Sequence, residues 1–161
     1  MGNFASSKAV TFLDIETTQL DPKKSAILQI SFITDWENGK QDSWSTKIKP
    51  KPIELEFASK EALAICNYTE EGWENAVFAR YKWTEVDSVK NLDDEQTFKV
   101  GYPIIDTCAL AYLFLPTERQ NLNELRQYFN ISTDGAHEAV KDTEDCRTVF
   151  YNIIGEKLDK D

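Results

Sequence analysis

The segment Ala9-Val10-Thr11-Phe12-Leu13-Asp14-Ile15-Glu16 constrains this chain more than any other. It is an apolar run that ends in two acids, and it reads as a buried β-strand. Strand side chains alternate between faces, so Asp14 and Glu16 point one way and Leu13 and Ile15 the other. Two neighbouring carboxylates on a core strand repel each other and resist leaving water. Folding alone does not select such a pair. A hard divalent cation, Mg²⁺ or Mn²⁺, prefers oxygen ligands and would remove the penalty. The alternative ends the strand at Leu13 and leaves both acids in a solvated loop. The rest of the chain decides between the two.

At 161 residues the chain is most simply one domain, spanning 1–161. A hydrophobic content of 41% argues against disorder. No apolar run approaches membrane-spanning length, and no basic-then-apolar leader pattern opens the sequence. No membrane role is expected, and cytoplasmic residence is the default. Cys66, Cys108 and Cys146 are too scattered for a disulfide framework or a zinc site. A single histidine, His137, excludes a multi-histidine metal centre. The net charge of −10 opposes a broad basic surface that grips duplex DNA. It leaves room for a small cleft in which metal ions face the phosphate.

The first third reads as a β-meander. Ile27 to Thr34 and Ser43 to Ile48 follow the carboxylate strand, with Asn38-Gly39 as a turn between them. Ser59 to Cys66 reads as a short helix capped by Ser59, and Thr69 to Asn75 as a helix start. Tyr81 to Thr97 is polar and acidic and reads as an exposed loop. Val100 to Asp106 holds a short strand, and Thr107 to Leu115 a helix that stops at Pro116. Asn121 and Glu124 suggest a capping box before the apolar face of Leu122, Leu125 and Phe129. The last helix runs from near His137 to about Lys157, with Cys146, Val149, Phe150 and Ile153 as its apolar stripe. Asp142 falls on that stripe, four residues before Cys146. Either it faces a site, or it only favours the helix dipole from the first turn.

These pieces stand in a telling order. Phe12-Leu13-Asp14-Ile15-Glu16-Thr17-Thr18-Gln19-Leu20-Asp21-Pro22 resembles the first motif of the DEDD 3′–5′ exonuclease superfamily. His137-Glu138-Ala139-Val140-Lys141-Asp142 resembles the last motif of its histidine branch, in which a histidine precedes the aspartate by five. Ile105-Asp106-Thr107 and Asn121-Leu122-Asn123-Glu124-Leu125 resemble landmarks between them. The likeness extends over about Ala9 to Ile154, and the chain resembles the exonucleases like the epsilon proofreading subunit.

The resemblance implies an α/β fold of the ribonuclease H-like kind, a mixed five-stranded sheet flanked by helices. It implies phosphodiester hydrolysis with two divalent cations, Mg²⁺ or Mn²⁺, about 3.5–4 Å apart. Asp14, Glu16 and Asp142 would hold the metals and His137 would be the general base, a role that suits an imidazole titrating near neutrality. Thr17, Thr18 and Leu20 match positions that line the terminal nucleotide. The expected enzyme is a 3′–5′ exonuclease that takes single-stranded or frayed 3′ ends, DNA in preference to RNA, and releases nucleoside monophosphates. A polymerase is a possible partner.

Two departures qualify this. Gln19 stands where the family has Gly, which is used there for backbone freedom. The middle motif, a strand ending in His-Asn followed by a helix with a fourth metal-binding aspartate, has no counterpart, and the middle of the chain is short. Ala76 to Tyr81 or Phe98 to Tyr102 could replace the strand, with Asp87, Asp93 or Asp94 as ligand. The motif could have been lost from a disabled protein that only binds a nucleic-acid end or a polymerase. Or a stretch belonging to the molecule is absent from this sequence at a seam near Phe78 to Tyr81, which the family-like flanks favour. A small-RNA exonuclease with the same chemistry is a further reading.

Overall fold

The structure, a computed structural model, describes residues 9–21, 23–78, 81–85, 88–91, 97–99, 105–116 and 121–158. Strands β1 (Ala9–Thr17), β2 (Ile27–Trp36) and β3 (Gln41–Lys49) form the expected antiparallel meander. The turn between β2 and β3 places Gly39 at φ 80°, a left-handed conformation that glycine adopts without a Cβ penalty. The register sets Phe12 opposite Ile33, Asp14 opposite Ser31 and Glu16 opposite Gln29. One face of β1 therefore carries an aromatic ring and then two acids.

The two-residue strand β4 (Val77–Phe78) pairs parallel to β3. The sheet order is β1-β2-β3-β4, so among the described residues the sheet has four strands rather than five and β1 lies at an edge. Among the described residues, neither segment suggested as a replacement pairs with β1. Val77-Phe78 lies at the far edge, and Phe98 belongs to another sheet. That sheet is formed by β5 (Tyr81–Glu85), β6 (Ser88–Asn91) and β7 (Thr97–Lys99), all antiparallel. It corrects the exposed loop expected over Tyr81 to Thr97. Antiparallel ladders need only short connections and backbone groups, so a polar composition does not prevent them.

Helix α1 (Pro52–Glu56) follows β3, and α2 (Lys60–Ile65) starts at Ser59, whose hydroxyl accepts the Ala62 N–H. The stretch from Thr69 makes a single 3₁₀ turn, Glu71–Trp73. Helix α3 (Thr107–Phe114) is capped by Asp106, whose carboxylate accepts the N–H groups of Cys108 and Ala109. Ile105 and Asp106 thus lie outside any strand; the rest of the strand expected there, residues 100–104, is outside the described residues. Asn121 caps α4 (Leu122–Tyr128) by accepting the Glu124 N–H, one half of the expected capping box. The long α5 (Ala139–Leu158) is the last described element. Among the described residues no helix is long and apolar enough to cross a membrane.

Helix α5 lies across β1 and β2, and α3 and α4 pack against it. Phe12, Ile33 and Phe150 join helix to sheet, with the Phe12 and Phe150 rings edge-on at 5.4 Å between centroids. Ala111, Leu115, Leu125, Val149 and Ile153 fill the space between the three helices. Asp35 at the end of β2 accepts from Arg147 Nε and the Tyr151 hydroxyl, both at 2.8 Å, which fixes the rotation of α5. The β1–β2 register slips between Glu16 and Thr17, and Leu28 has no opposite number on β1. A bulge bends its strand and re-aims nearby side chains. The Leu28 carbonyl accepts the Trp73 indole N–H at 3.1 Å, and its side chain packs with Cys66 and Trp73. The end of α2 is thereby drawn to the end of β1.

Phe150 is the main apolar link between α5 and the sheet. Phe150→Ala is expected to cost about 3–5 kcal/mol, read as a lower urea midpoint with an unchanged slope.

Candidate metal centre

Four of the residues singled out in the sequence meet in one place. Asp14 and Glu16 reach it from β1, Asp142 from the first turn of α5 and His137 from the turn before that helix. One ligand atom each of Glu16, His137 and Asp142 lies within 4.8 Å of the other two. Asp14 is outside that tight group but close enough to feel the charges of Glu16 and Asp142. Asp142 is both inward-facing and near the helix N-terminus, so the two sequence readings of it describe the same side chain. It is 7% exposed.

The chain positions these groups by local means. Gln29, opposite Glu16, accepts the Ala139 N–H at 3.3 Å and so docks the first residue of α5 against the sheet. His137 sits at φ 69°, the left-handed region that few residues other than glycine adopt. Its backbone N–H donates to Asp142 Oδ1 at 3.1 Å. The strained turn and the helix start are thus held by the same carboxylate.

The electrostatics show what crowding these acids costs. Burial pushes the Asp14 carboxyl up to about 7, reinforced by the charges of Glu16 and Asp142. Glu16 is also raised, chiefly by burial. Asp14 Oδ2 is buried with no hydrogen-bond partner. An orphaned carboxylate oxygen beside two further acids and an imidazole is a donor set suited to a hard divalent cation. Asp14, Glu16 and Asp142 fit that role on the chemistry of the donors.

Part of the negative charge is already balanced by residues that the sequence reading passed over. Arg126 of α4 is 1% exposed. It donates to Asp142 Oδ1 through Nη2 at 2.5 Å, to Asp145 Oδ2 through Nε at 2.6 Å and to Asn123 Oδ1 through Nη1 at 2.6 Å. Lys141 donates to the other Asp145 oxygen. With Oδ1 held by Arg126 and the His137 N–H, Asp142 has its second oxygen to offer. A sequence signal existed: Arg126 is four residues from Leu122 and next to Leu125, so a cation lies beside the apolar stripe of α4. Cys66 is the other unforeseen neighbour. Its thiol donates to Glu16 Oε2 at 3.2 Å, across 50 positions of sequence.

The three proposed nucleotide-lining residues differ. Leu20 is 98% exposed. The Thr17 hydroxyl donates to the Gln19 carbonyl at 2.9 Å. Thr18 is fully buried: its N–H donates to the Ala26 carbonyl, its carbonyl accepts the Ser59 N–H, and its hydroxyl accepts the Ala26 N–H. Thr18 therefore ties the loop after β1 together. Gln19 is not among the left-handed residues, so the loop does not need a glycine there for backbone freedom. Asp87, Asp93 and Asp94, named as substitute ligands, lie outside the described residues.

No family model matches this sequence, and no curated protein matches it. Among solved structures it is similar to cell-death related nuclease 4 (CRN-4), with a TM-score of 0.60 and 13% identity over 92% of this chain and 64% of that one. It is also similar to a full-length 3′-exonuclease, with a TM-score of 0.62 and 10% identity over 97% of this chain and 64% of that one. The chain thus spans 64% of the length of both. At these identities the likeness is one of fold, an α/β exonuclease-like arrangement.

Folded Asp14 keeps its proton up to about pH 7, whereas in the unfolded chain the proton leaves near about 3.9. Between those values the folded state binds more protons, so the metal-free protein loses stability as pH rises, by on the order of 4 kcal/mol. Asp14→Asn should flatten this dependence and raise the metal-free Tm at neutral pH, measured by thermal melts with chelator. Arg126→Met should destabilise by about 3–5 kcal/mol, because it leaves Asp142 and Asp145 buried without their cation. Denaturant titration at neutral pH checks it.

Proposed function

We propose that this chain is a metal-dependent 3′–5′ exonuclease that hydrolyses single-stranded or frayed DNA ends to nucleoside monophosphates. The observation that carries this reading is the convergence of Glu16, His137 and Asp142, with Asp14 orphaned beside them. The solved structures of similar fold support it, since one is named a nuclease and the other a 3′-exonuclease. Asp14, Glu16 and Asp142 hold two divalent cations, Mg²⁺ or Mn²⁺. When bound, such ions neutralise phosphate charge and make a water molecule a stronger nucleophile at neutral pH.

The chain's own groups supply the rest. His137 takes the proton from the attacking water, and its position is fixed by the bond from its backbone to Asp142. Arg126 holds Asp142 without reaching for substrate. Leu20, exposed and apolar, packs under the terminal base, while Thr17 and Thr18 keep the loop that presents it. A net charge of −10 suits a short footprint at a strand end better than a long electrostatic groove. As partners we propose single-stranded 3′ ends and, in a proofreading role, a polymerase; the compartment is the cytoplasm.

One observation favours a second reading. Among the described residues β1 has a single ladder partner, and Asp106 and Asp145 are both engaged elsewhere: Asp106 caps α3 and Asp145 is paired with Arg126 and Lys141. A module lacking a fourth metal-binding acid would bind a strand end without cutting it.

Rates of monophosphate release from single-stranded DNA separate the two. Asp14→Ala and Asp142→Ala should reduce the wild-type rate to background. His137→Ala should lower kcat by about 10²–10⁴ while Mn²⁺ affinity, measured by calorimetry, is retained. Equal rates in wild type and all three variants would remove the catalytic assignment.

A further inference from the structure

We propose that Lys47 and the pocket it lines hold a backbone phosphate of the single strand, upstream of the phosphate being cut. The inference rests on reading the chain as an exonuclease of strand ends. It adds a place where the uncut part of the substrate is gripped.

The sheet sets this pocket in line with the acids. Glu16 of β1 lies opposite Gln29 of β2, and Gln29 lies opposite Lys47 of β3. Residues directly opposite across a ladder share a face. The three side chains therefore form one row on the face that carries the acid cluster. Neighbouring strands are about 4.8 Å apart, which puts the Lys47 backbone roughly 10 Å from that of Glu16. With its ammonium held over the Trp73 ring, Lys47 meets a phosphate other than the one at the acids. At the Gln29–Lys47 end of the row is a pocket of about 210 Å³, lined also by Asn67, Trp73 and Glu138. That is the volume of roughly seven liquid water molecules, room for a phosphate group and less than a drug-sized ligand fills.

Lys47 carries a charge that its surroundings leave unspent. The cations beside the acids are already engaged: Arg126 with Asp142 and Asp145, Lys141 with Asp145 and Arg147 with Asp35. Among the described residues no carboxylate lies within ion-pair distance of Lys47. Its ammonium sits 4.1 Å from the centre of the Trp73 ring and makes one long contact, 3.5 Å, to the Gly72 carbonyl. Trp73 is buried and is fixed by its bond to the Leu28 carbonyl. The ring thus holds the lysine in place without neutralising it. Gln29 is 8% exposed and lines the same pocket. Its amide oxygen is taken by the Ala139 N–H, which leaves the NH₂ to donate to an anion. In a chain of net charge −10, an exposed ammonium without an acid partner beside a buried amide donor selects for an anion. Glu138 is the one acid in the lining and opposes it. A phosphodiester carries a single negative charge, which one lysine matches.

The test is the binding of a 5′-fluorescein-labelled oligothymidylate to the full chain, followed by anisotropy with Ca²⁺ in place of Mg²⁺ and with strand length checked on a gel. Lys47→Met keeps the stem on Trp73 and removes the charge. It should weaken binding about tenfold and flatten the slope of log K against log salt by about 0.7. Lys47→Arg should restore both, and Glu138→Gln should tighten binding. Upstream linkages are also replaced one at a time by an uncharged methylphosphonate. One of them should weaken wild-type binding as much as Lys47→Met does and cost that variant nothing further. No binding by the wild type, wild-type affinity and slope in Lys47→Met, wild-type affinity in Glu138→Gln, or linkage penalties that all add to that of Lys47→Met would overturn the proposal. In digestion with Mg²⁺, Lys47→Met should raise KM and leave kcat. A chain that shows the binding effects and digests nothing keeps the phosphate contact and loses the exonuclease; digestion without those effects does the reverse.

Discussion

The structure turns on the crowding of Asp14, Glu16 and Asp142 where β1 meets the start of α5. Like charges in a partly dry site oppose the packing that brings them together. Two devices reduce the cost. Asp14 keeps its proton in the absence of metal, and Arg126, fully enclosed, spans Asp142 and Asp145. What remains uncompensated is the Asp14–Glu16 side, where one oxygen has no partner. The helix packing is therefore built around a deficit of positive charge that a divalent ion would make good.

The scaffold converts that deficit into geometry. Phe12 and Phe150 anchor α5 to the sheet about two turns beyond Asp142, and Asp35 locks its rotation from the far end of β2. Gln29 docks the first residue of the helix. With both ends of the contact fixed, the carboxylate of Asp142 and the turn carrying His137 cannot drift from β1. The same sheet irregularity that re-aims the chain after Glu16 also pulls in α2 and Cys66. The acid cluster thus acquires a thiol at its rim, hydrogen-bonded to Glu16.

Much of this was legible in the sequence because it is written in local periodicity. The alternation of β1, the Asn38-Gly39 turn and the inward stripe of Val149, Phe150 and Ile153 give their elements directly. Asp142 on that stripe marked the site. What was not legible depends on pairing between distant segments. The acid-rich stretch from Tyr81 reads as a loop by composition, yet its backbone forms three antiparallel strands. Ile105 and Asp106 read as a strand end, but Asp106 caps a helix instead. Arg126 and Asp145 are each visible as charges beside an apolar stripe, but that they face one another is a property of the α4–α5 packing. Cys66 meets Glu16 only because a bulge and a helix end coincide, and no spacing rule announces that.

The central claim is most directly tested by digesting one single-stranded DNA labelled at its 3′ end and the same strand labelled at its 5′ end, with Mg²⁺, Mn²⁺ or EDTA. The account predicts a metal-dependent loss of label as monophosphate from the 3′-labelled strand and a shortening ladder from the 5′-labelled one, both abolished by EDTA. Intact strands in every lane, or cleavage that persists in EDTA, would contradict it.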